Sequence, residues 1–410
     1  MIALAALAPA ARAQDFGDFE ATGQLEEARR QATPLQVGPH SFQPGMQYKL
    51  LGVTTPHVFG ALSGGYTDNV LRGDPDAPGV RLVRDAFGRA EAGLRLDTSL
   101  SDHRIELEYR GAVTEYARSG AFDTHEHQVR GRLDLLFNDA SAHADASWTR
   151  TAYPQSIQLR GIVRADTYAA SAWGEARWNR FGARAALGGR RVEYRERALR
   201  PLEHHAFGPS LQAYFRVSPK LRALLEYNYQ RLRFDRRPDV DGFDVHSLRG
   251  GVDGEVTPKL TASVKLGVAF QRIDAGLAGQ GARDREFAGF VAEVSARWDV
   301  LPRTQLSASY RRSIDPSLSS THLLTDDVEL SAAQKLFDEK VTARAFAGYS
   351  HSVVDRGEHL NRFRAGAGVT YLIREWLSVG AVYEFSRLTS GAPSNDFEVH
   401  TVMLSLGAGL

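Results

Sequence analysis

Residues 261–270 read Thr-Ala-Ser-Val-Lys-Leu-Gly-Val-Ala-Phe, so that Ala262, Val264, Leu266, Val268 and Phe270 alternate with Thr261, Ser263, Lys265, Gly267 and Ala269. A period of two sends successive side chains to opposite faces of an extended chain, which makes this segment a strand with one apolar and one polar face. The pattern recurs. Phe290, Ala292, Val294, Ala296 and Trp298 alternate with Val291, Glu293, Ser295 and Arg297, and Leu377, Val379, Ala381, Tyr383 and Phe385 with Ser378, Gly380, Val382 and Glu384. Alternation becomes legible at about His57 and persists through Val402, Leu404, Leu406, Ala408 and Leu410.

The connections alternate as well, short then long. Short turn signals sit at Ser101-Asp102, Asn138-Asp139, Asn179-Arg180, Ser218-Pro219-Lys220, Thr257-Pro258-Lys259, Leu301-Pro302-Arg303, Phe337 to Lys340 and Ile373 to Glu375. They recur about every 40 residues, the length of two strands, one tight turn and one longer loop. Longer polar loops fall between them: Arg72 to Gly79, Pro154 to Arg164, Arg236 to Gly242, Arg312 to Ser320 and Asp355 to Asn361. This spacing predicts an all-β fold, a transmembrane antiparallel barrel of about 18 strands with short periplasmic turns and longer extracellular loops.

A soluble β-sandwich would bury bulky branched residues between two sheets. Here the apolar face is rich in alanine and glycine, and aromatics gather at strand ends. Trp178, Phe181, Phe215, Trp298, Phe337, Tyr371 and Trp376 lie beside short turns, where a periplasmic girdle belongs. Tyr109, Trp148, Tyr168, Tyr227, Phe270, Tyr310, Tyr349 and Tyr383 lie toward the long loops and suit an outer girdle.

The other face carries the charge. Its arginines are Arg89, Arg95, Arg110, Arg130, Arg132, Arg177, Arg184, Arg216, Arg222, Arg249, Arg297, Arg311, Arg344 and Arg364, interleaved with acids such as Glu91, Asp97, Glu106, Asp145, Glu226 and Asp253. A cation pointing into lipid costs ~2–4 kcal/mol near the midplane, so this face is expected to line a wet lumen. Two readings of it stand together. The charges pair across strands and stiffen the wall, and the arginines line a solute path for anionic or hydroxyl-rich guests.

The chain has 410 residues, a net charge of +1 and no cysteine. Without cysteine there are no thiolate nucleophiles, zinc–thiolate sites, iron–sulfur clusters, disulfides or lipid-anchoring cysteine. The charge balance shows no basic excess for a nucleic-acid partner. Residues 1–13 read as a signal peptide, truncated at its start, with Ala11-Arg12-Ala13 before a cleavage at Gln14. Residues 14–56, with Glu26-Glu27-Ala28-Arg29-Arg30, then form a periplasmic N-terminal segment too short for a globular plug, and residues 57–410 the barrel.

No catalytic constellation is legible, so no enzyme activity, cofactor or metal is expected. His125, His127, His143 and Ser147 are framed by no motif. His204 and His205 are adjacent, and adjacent strand residues face opposite ways. Asp68, Asn69, Asp74 and Asp76 gather oxygen ligands, but Pro75 and Pro78 interrupt them and no EF-hand spacing follows.

Val37-Gly38, Phe42 and Pro44 are followed by Gly64-Gly65-Tyr66-Thr67-Asp68-Asn69-Val70-Leu71-Arg72. This stretch resembles the putative β-barrel porins of the second type, which open with a tyrosine, then Asp-Asn, an apolar residue and Arg. Phe207-Gly208-Pro209-Ser210-Leu211 through Ser218-Pro219-Lys220-Leu221 to Glu226-Tyr227 is similar to the same family's middle hairpin. The resemblance implies the cell outer membrane, with lipid and lipopolysaccharide as surroundings. It also implies a part in exopolysaccharide export or assembly, with a polysaccharide substrate and periplasmic export machinery as partners. Barrel size alone leaves two other roles open: a diffusion porin for small polar or anionic solutes, and a structural barrel with an occluded lumen.

Overall fold

In the computed structural model of the chain, the described residues are 53–73, 82–152, 163–237, 240–275, 285–316, 322–354, 359–391 and 396–409. The expected signal segment 1–13 and nearly all of the 14–56 segment lie outside them. The first half of the sheet comprises β1 (Thr54–Thr67), β2 (Asp85–Leu100), β3 (His103–Tyr116), β4 (Thr124–Leu136), β5 (Ala140–Thr151), β6 (Ala165–Trp178), β7 (Phe181–Tyr194), β8 (His204–Ser218) and β9 (Leu221–Phe234). The second half comprises β10 (Val240–Thr257), β11 (Leu260–Ala275), β12 (Arg285–Leu301), β13 (Thr304–Pro316), β14 (His322–Leu336), β15 (Val341–Val354), β16 (His359–Arg374), β17 (Leu377–Ser390) and β18 (Phe397–Gly409).

Each strand pairs antiparallel with its sequence neighbours, and β1 pairs with β18 from Phe59↔Gly409 to Thr67↔Thr401. The sheet of 18 strands therefore closes on itself and presents no open edge. Turn chemistry explains the tight ends. Ser101 and Asn179 take the left-handed conformation (φ 57° and 52°) that a two-residue hairpin demands. At the β8–β9 turn, Ser218 Oγ accepts from the N–H groups of Lys220 (3.3 Å) and Leu221 (3.1 Å). The β14–β15 turn strings three left-handed residues together, Phe337, Asp338 and Glu339.

The two faces fall as the alternation predicts. Leu266 (48% exposed), Val268 and Phe270 point outward, whereas Ser263, Lys265 and Gln271 are buried on the inside. Leu404 (61%) and Trp178 (59%) are as exposed as surface lysines, which suits contact with hydrocarbon rather than water.

Several strands run further than their alternation suggests. β1 begins at Thr54, ahead of His57; β10 begins at Val240 and β16 at His359, inside segments expected to be loops; and β13 continues to Pro316. For the last three the reason lies on the outer face above the aromatics. There Tyr310 Oη donates to Asp326 (2.8 Å), Arg312 pairs with the same carboxylate (3.2 Å), and Tyr349 Oη donates to Asn361 (2.8 Å). Outward side chains at this height are polar, so the apolar alternation stops while the ladder continues.

At the same height the inward face turns apolar. Leu232, Phe234, Phe243 and Ile273 form one cluster, and Val163, Ala165, Val192 and Tyr194 another. The 3-10 turn Arg197–Leu202, between β7 and β8, lays Leu202 against both and Leu199 against the second. This connection folds against the inner wall.

The Tyr66–Arg72 motif closes the seam. The Asp68 N–H donates to the His400 carbonyl (3.2 Å), and the His400 N–H donates to Asp68 Oδ1 (2.8 Å). Asn69, 2% exposed, donates from Nδ2 to the carbonyls of Gly73 (2.8 Å) and Glu398 (2.9 Å) and accepts from the Gly73 N–H (2.9 Å). Together they extend the β1–β18 closure past the last ladder pair.

Two variants on neighbouring residues of β14 test the face assignment. Leu330→Arg puts a cation in lipid from a position 54% exposed, and should lower folding stability in vesicles by about 2–4 kcal/mol, while Ser331→Arg should change it little. Equal losses in a urea titration would reverse the faces. Asn69→Ala removes three hydrogen bonds and leaves buried backbone groups unpaired, a loss of ~1–3 kcal/mol. It should lower the temperature at which the barrel loses its heat-modifiable mobility on a gel.

Candidate functional site

All fourteen arginines of the charged register lie on the inward face: Arg89 and Arg95 on β2, Arg110 on β3, Arg130 and Arg132 on β4, Arg177 on β6, Arg184 on β7 and Arg216 on β8. Arg222 on β9, Arg249 on β10, Arg297 on β12, Arg311 on β13, Arg344 on β15 and Arg364 on β16 complete the set. Their strand register is opposite to that of the exposed apolar residues beside them. The set is unevenly spread around the wall.

Three clusters hold half of them. On β2 to β5, Arg89 pairs with Glu126 (2.8 Å), Arg95 with Asp97 (3.1 Å), Arg110 with Glu108 (3.2 Å) and Arg130 with Asp145 (2.6 Å). On β6 to β10, Arg184 pairs with Glu175 (3.2 Å) and stacks on the Trp173 ring at 3.9 Å. Tyr214 Oη donates to the same Glu175 (2.8 Å), and Arg222 reaches Asp253 (2.6 Å). On β9 to β12, Glu226 takes Arg249 (2.5 Å) and Lys265 (3.2 Å), and Arg249 also approaches Glu293 (3.4 Å). Arg95–Asp97 and Arg110–Glu108 lie within one strand; the other pairs tie different strands by charge-assisted bonds on the inner face as well as by the ladder. Arg297 pairs loosely with Asp299 (3.8 Å), and Arg177 donates to the Asn138 carbonyl (3.4 Å).

Lys265, Trp173 and Tyr214 belong to this inner wall but not to the arginine pattern. The sequence does hold the signal for them. Trp173 shares the register of Glu175, and Tyr214 that of Arg216, so parity puts both aromatics on the polar face.

The remaining arginines differ. Among the described residues, Arg132, Arg216, Arg344 and Arg364 make no ion pair and no hydrogen bond through their side chains. On the acidic side Glu384 stands in the same position. The wall thus separates into paired charges that build it and a smaller set of guanidinium groups left to meet whatever enters.

The histidines do not converge on a nucleophile. His125 and His127 face outward, and His127 shares a hydrogen bond with Tyr109 Oη (3.1 Å). His143 faces inward with Ser147, but it bonds Asp134 (2.5 Å) and stacks on Trp173. His204 turns in to the Leu202 carbonyl (2.8 Å), and His205 turns out to Asp235 (3.1 Å), so the pair cannot chelate one ion. Among the described residues no group of three or more His, Asp or Glu could hold a metal. Asp68 and Asn69 are engaged at the seam, and Asp74 and Asp76 lie outside the described residues.

A family model described as putative beta-barrel porin 2 matches residues 57–409. A search of curated protein sequences returns no match. Among solved structures, the outer membrane protein OpdK from Pseudomonas aeruginosa aligns at 9% identity and a TM-score of 0.46, over 87% of this chain and 99% of that one. OccAB3 from Acinetobacter baumannii aligns at 8% and 0.45, over 87% and 99%. The FrpB iron transporter from Neisseria meningitidis aligns at 8% and 0.47, over 83% of this chain and 64% of that one.

The division between paired and unpaired charges has a direct test. Glu226→Ala leaves Arg249 and Lys265 buried without their shared carboxylate and should cost about 3–5 kcal/mol of barrel stability. Arg344→Ala removes a side chain that holds nothing and should be near neutral. Similar unfolding midpoints for the two variants in denaturant would contradict the division.

Proposed function

Because the chain belongs to the putative beta-barrel porin 2 family of the outer membrane, we propose that it is a passive channel for small polar solutes with a preference for anions. The observation that carries this reading is the surplus of unpaired inward guanidinium groups. Arg132, Arg216, Arg344 and Arg364 face the interior without a partner among the described residues; on the acidic side Glu384 has none, and Asp315 and Asp327 have hydroxyl donors (Ser313 and Ser350) but no cation within ion-pair distance. A wall of 18 strands encloses an aqueous passage where side chains do not fill it. Fixed cations along that passage raise the local concentration of anions and give each one weak, exchangeable contacts, which is what conduction requires.

The polysaccharide role stands behind the diffusion role, and it leads to a different outcome. Purified barrel in planar bilayers under a KCl gradient should show a reversal potential on the anion side. The triple variant Arg132→Gln, Arg216→Gln, Arg344→Gln should move that potential toward cation preference while conductance persists. A closed or cation-selective wild-type barrel would overturn the proposal. A deletion strain that loses surface polymer but keeps its small-anion uptake would replace it with the export role.

A further inference from the structure

A pocket opens on the inner wall beneath the seam, between the end of β1 and strands β2, β3, β16, β17 and β18. Three arginines reach it: Arg72, Arg89 and Arg364. Arg89 is occupied by Glu126 and by Thr114 Oγ1 (3.1 Å). Arg72, held in a left-handed conformation (φ 51°) by a turn on the Asn69 carbonyl, lies over the Phe397 ring at 5.5 Å. Arg364 is different. It is only 9% exposed, rests against Gly348, and among the described residues has neither ion pair nor side-chain hydrogen bond.

Two other groups in the pocket share that condition. Glu384 has no hydrogen bond and no cation within ion-pair distance among the described residues, and Ser386 Oγ is buried without a partner. Ser386 is the Cα partner of Arg364 across the β16–β17 ladder, and Glu384 lies on the same strand and the same face. A guanidinium, a carboxyl group and a hydroxyl thus stand side by side without a hydrogen bond among the described residues, and the fields of Arg72, Arg362 and Arg364 all reach Glu384. Burying such groups is unfavourable unless something completes their hydrogen bonds.

We propose that this pocket is a binding subsite for a small hydroxylated carboxylate, a hydroxy acid or a sugar acid. The ligand's carboxylate takes the fork of Arg364, with Ser386 Oγ donating to it, and its hydroxyl groups donate to Glu384. The chemistry excludes simpler ligands. A bare inorganic anion would satisfy Arg364 but offer Glu384 no donor. A neutral sugar would satisfy Glu384 and leave the buried guanidinium without an acceptor. Phe87 and Tyr116 supply apolar surface for the carbon skeleton. The Tyr66–Arg72 motif then has two consequences, since Thr67, Asn69, Val70 and Arg72 line the pocket while Asp68 and Asn69 fasten the seam above it.

The subsite rests on the channel reading for its purpose, but binding is measurable without current. Isothermal titration of the detergent-solubilised full-length barrel with D-glucuronate and with glycerate should show saturable binding. D-glucose and propionate should bind about tenfold more weakly, because a site built for both groups rejects an analogue that lacks one. Arg364→Gln should abolish glucuronate binding, and Glu384→Gln should bring glycerate down to the level of propionate, both variants keeping heat-modifiable mobility as the sign of a folded barrel. Equal wild-type affinity for glycerate and propionate, or unchanged glucuronate binding in folded Arg364→Gln, would overturn the subsite. Failure of the channel reading would appear instead in the reversal potential and leave these titrations as they are.

Discussion

Hydrocarbon offers no hydrogen bonds, so every backbone N–H and C=O at membrane depth must find its partner inside the protein. For a sheet this demand has one solution, which is closure, and closure here depends on the pairing of β1 with β18. The rest follows from it. An even strand number puts both barrel ends on one side, and tight turns and long connections then sort to opposite rims. The two strands that must meet are far apart in the chain, so nothing local brings them together. The Asp68-Asn69 pair answers that difficulty, since its side chains bond the β18 backbone at His400 and Glu398 where the ladder itself ends. A sequence signature that looks like a ligand site is in part a fastening.

The barrel was largely legible in the sequence because period two and turn chemistry are local. Ser101, Asn179 and the Pro219 and Pro258 turns each declare a reversal within a few residues, and the alternation between them assigns every side chain to a face. The site was legible only as a face. That Arg184 sits on Trp173, or that Glu226 gathers Arg249 and Lys265, depends on which strands neighbour and in what register, and register is a long-range property. Parity placed all these groups on one wall; it had no means of distinguishing a paired arginine from an unpaired one.

That distinction separates structure from function on a single surface. A paired inner charge, such as Arg222 on Asp253, ties two strands and is nearly invisible to a passing ion. An unpaired one contributes little to the wall and presents its whole field to the lumen. A barrel built of ion pairs can therefore carry many charges and still conduct, provided a few are left over. The near-neutral total of the chain hides this, because selectivity depends on the charges that remain after pairing and not on their sum.

The strands also reverse their own pattern. On β9, Leu225 and Tyr227 face outward below Tyr229, Arg231 and Arg233, while inward Arg222, Glu226 and Asn228 give way to Leu232 and Phe234. On β10 the outward series runs from Val252 and Leu248 to His246 and Asp244, and the inward series from Asp253 and Arg249 to Val245 and Phe243. Outside changes from apolar to polar at the height where inside changes from polar to apolar. One boundary explains both halves. Above the hydrocarbon the outer face meets headgroups and water, and the inner face meets the folded-in Arg197–Leu202 turn, so each surface takes the chemistry of its new neighbour. The crossing point marks the outer edge of the membrane on the strand itself. It is also why alternation fades before the strands end: a pattern that inverts midway averages to no pattern at all.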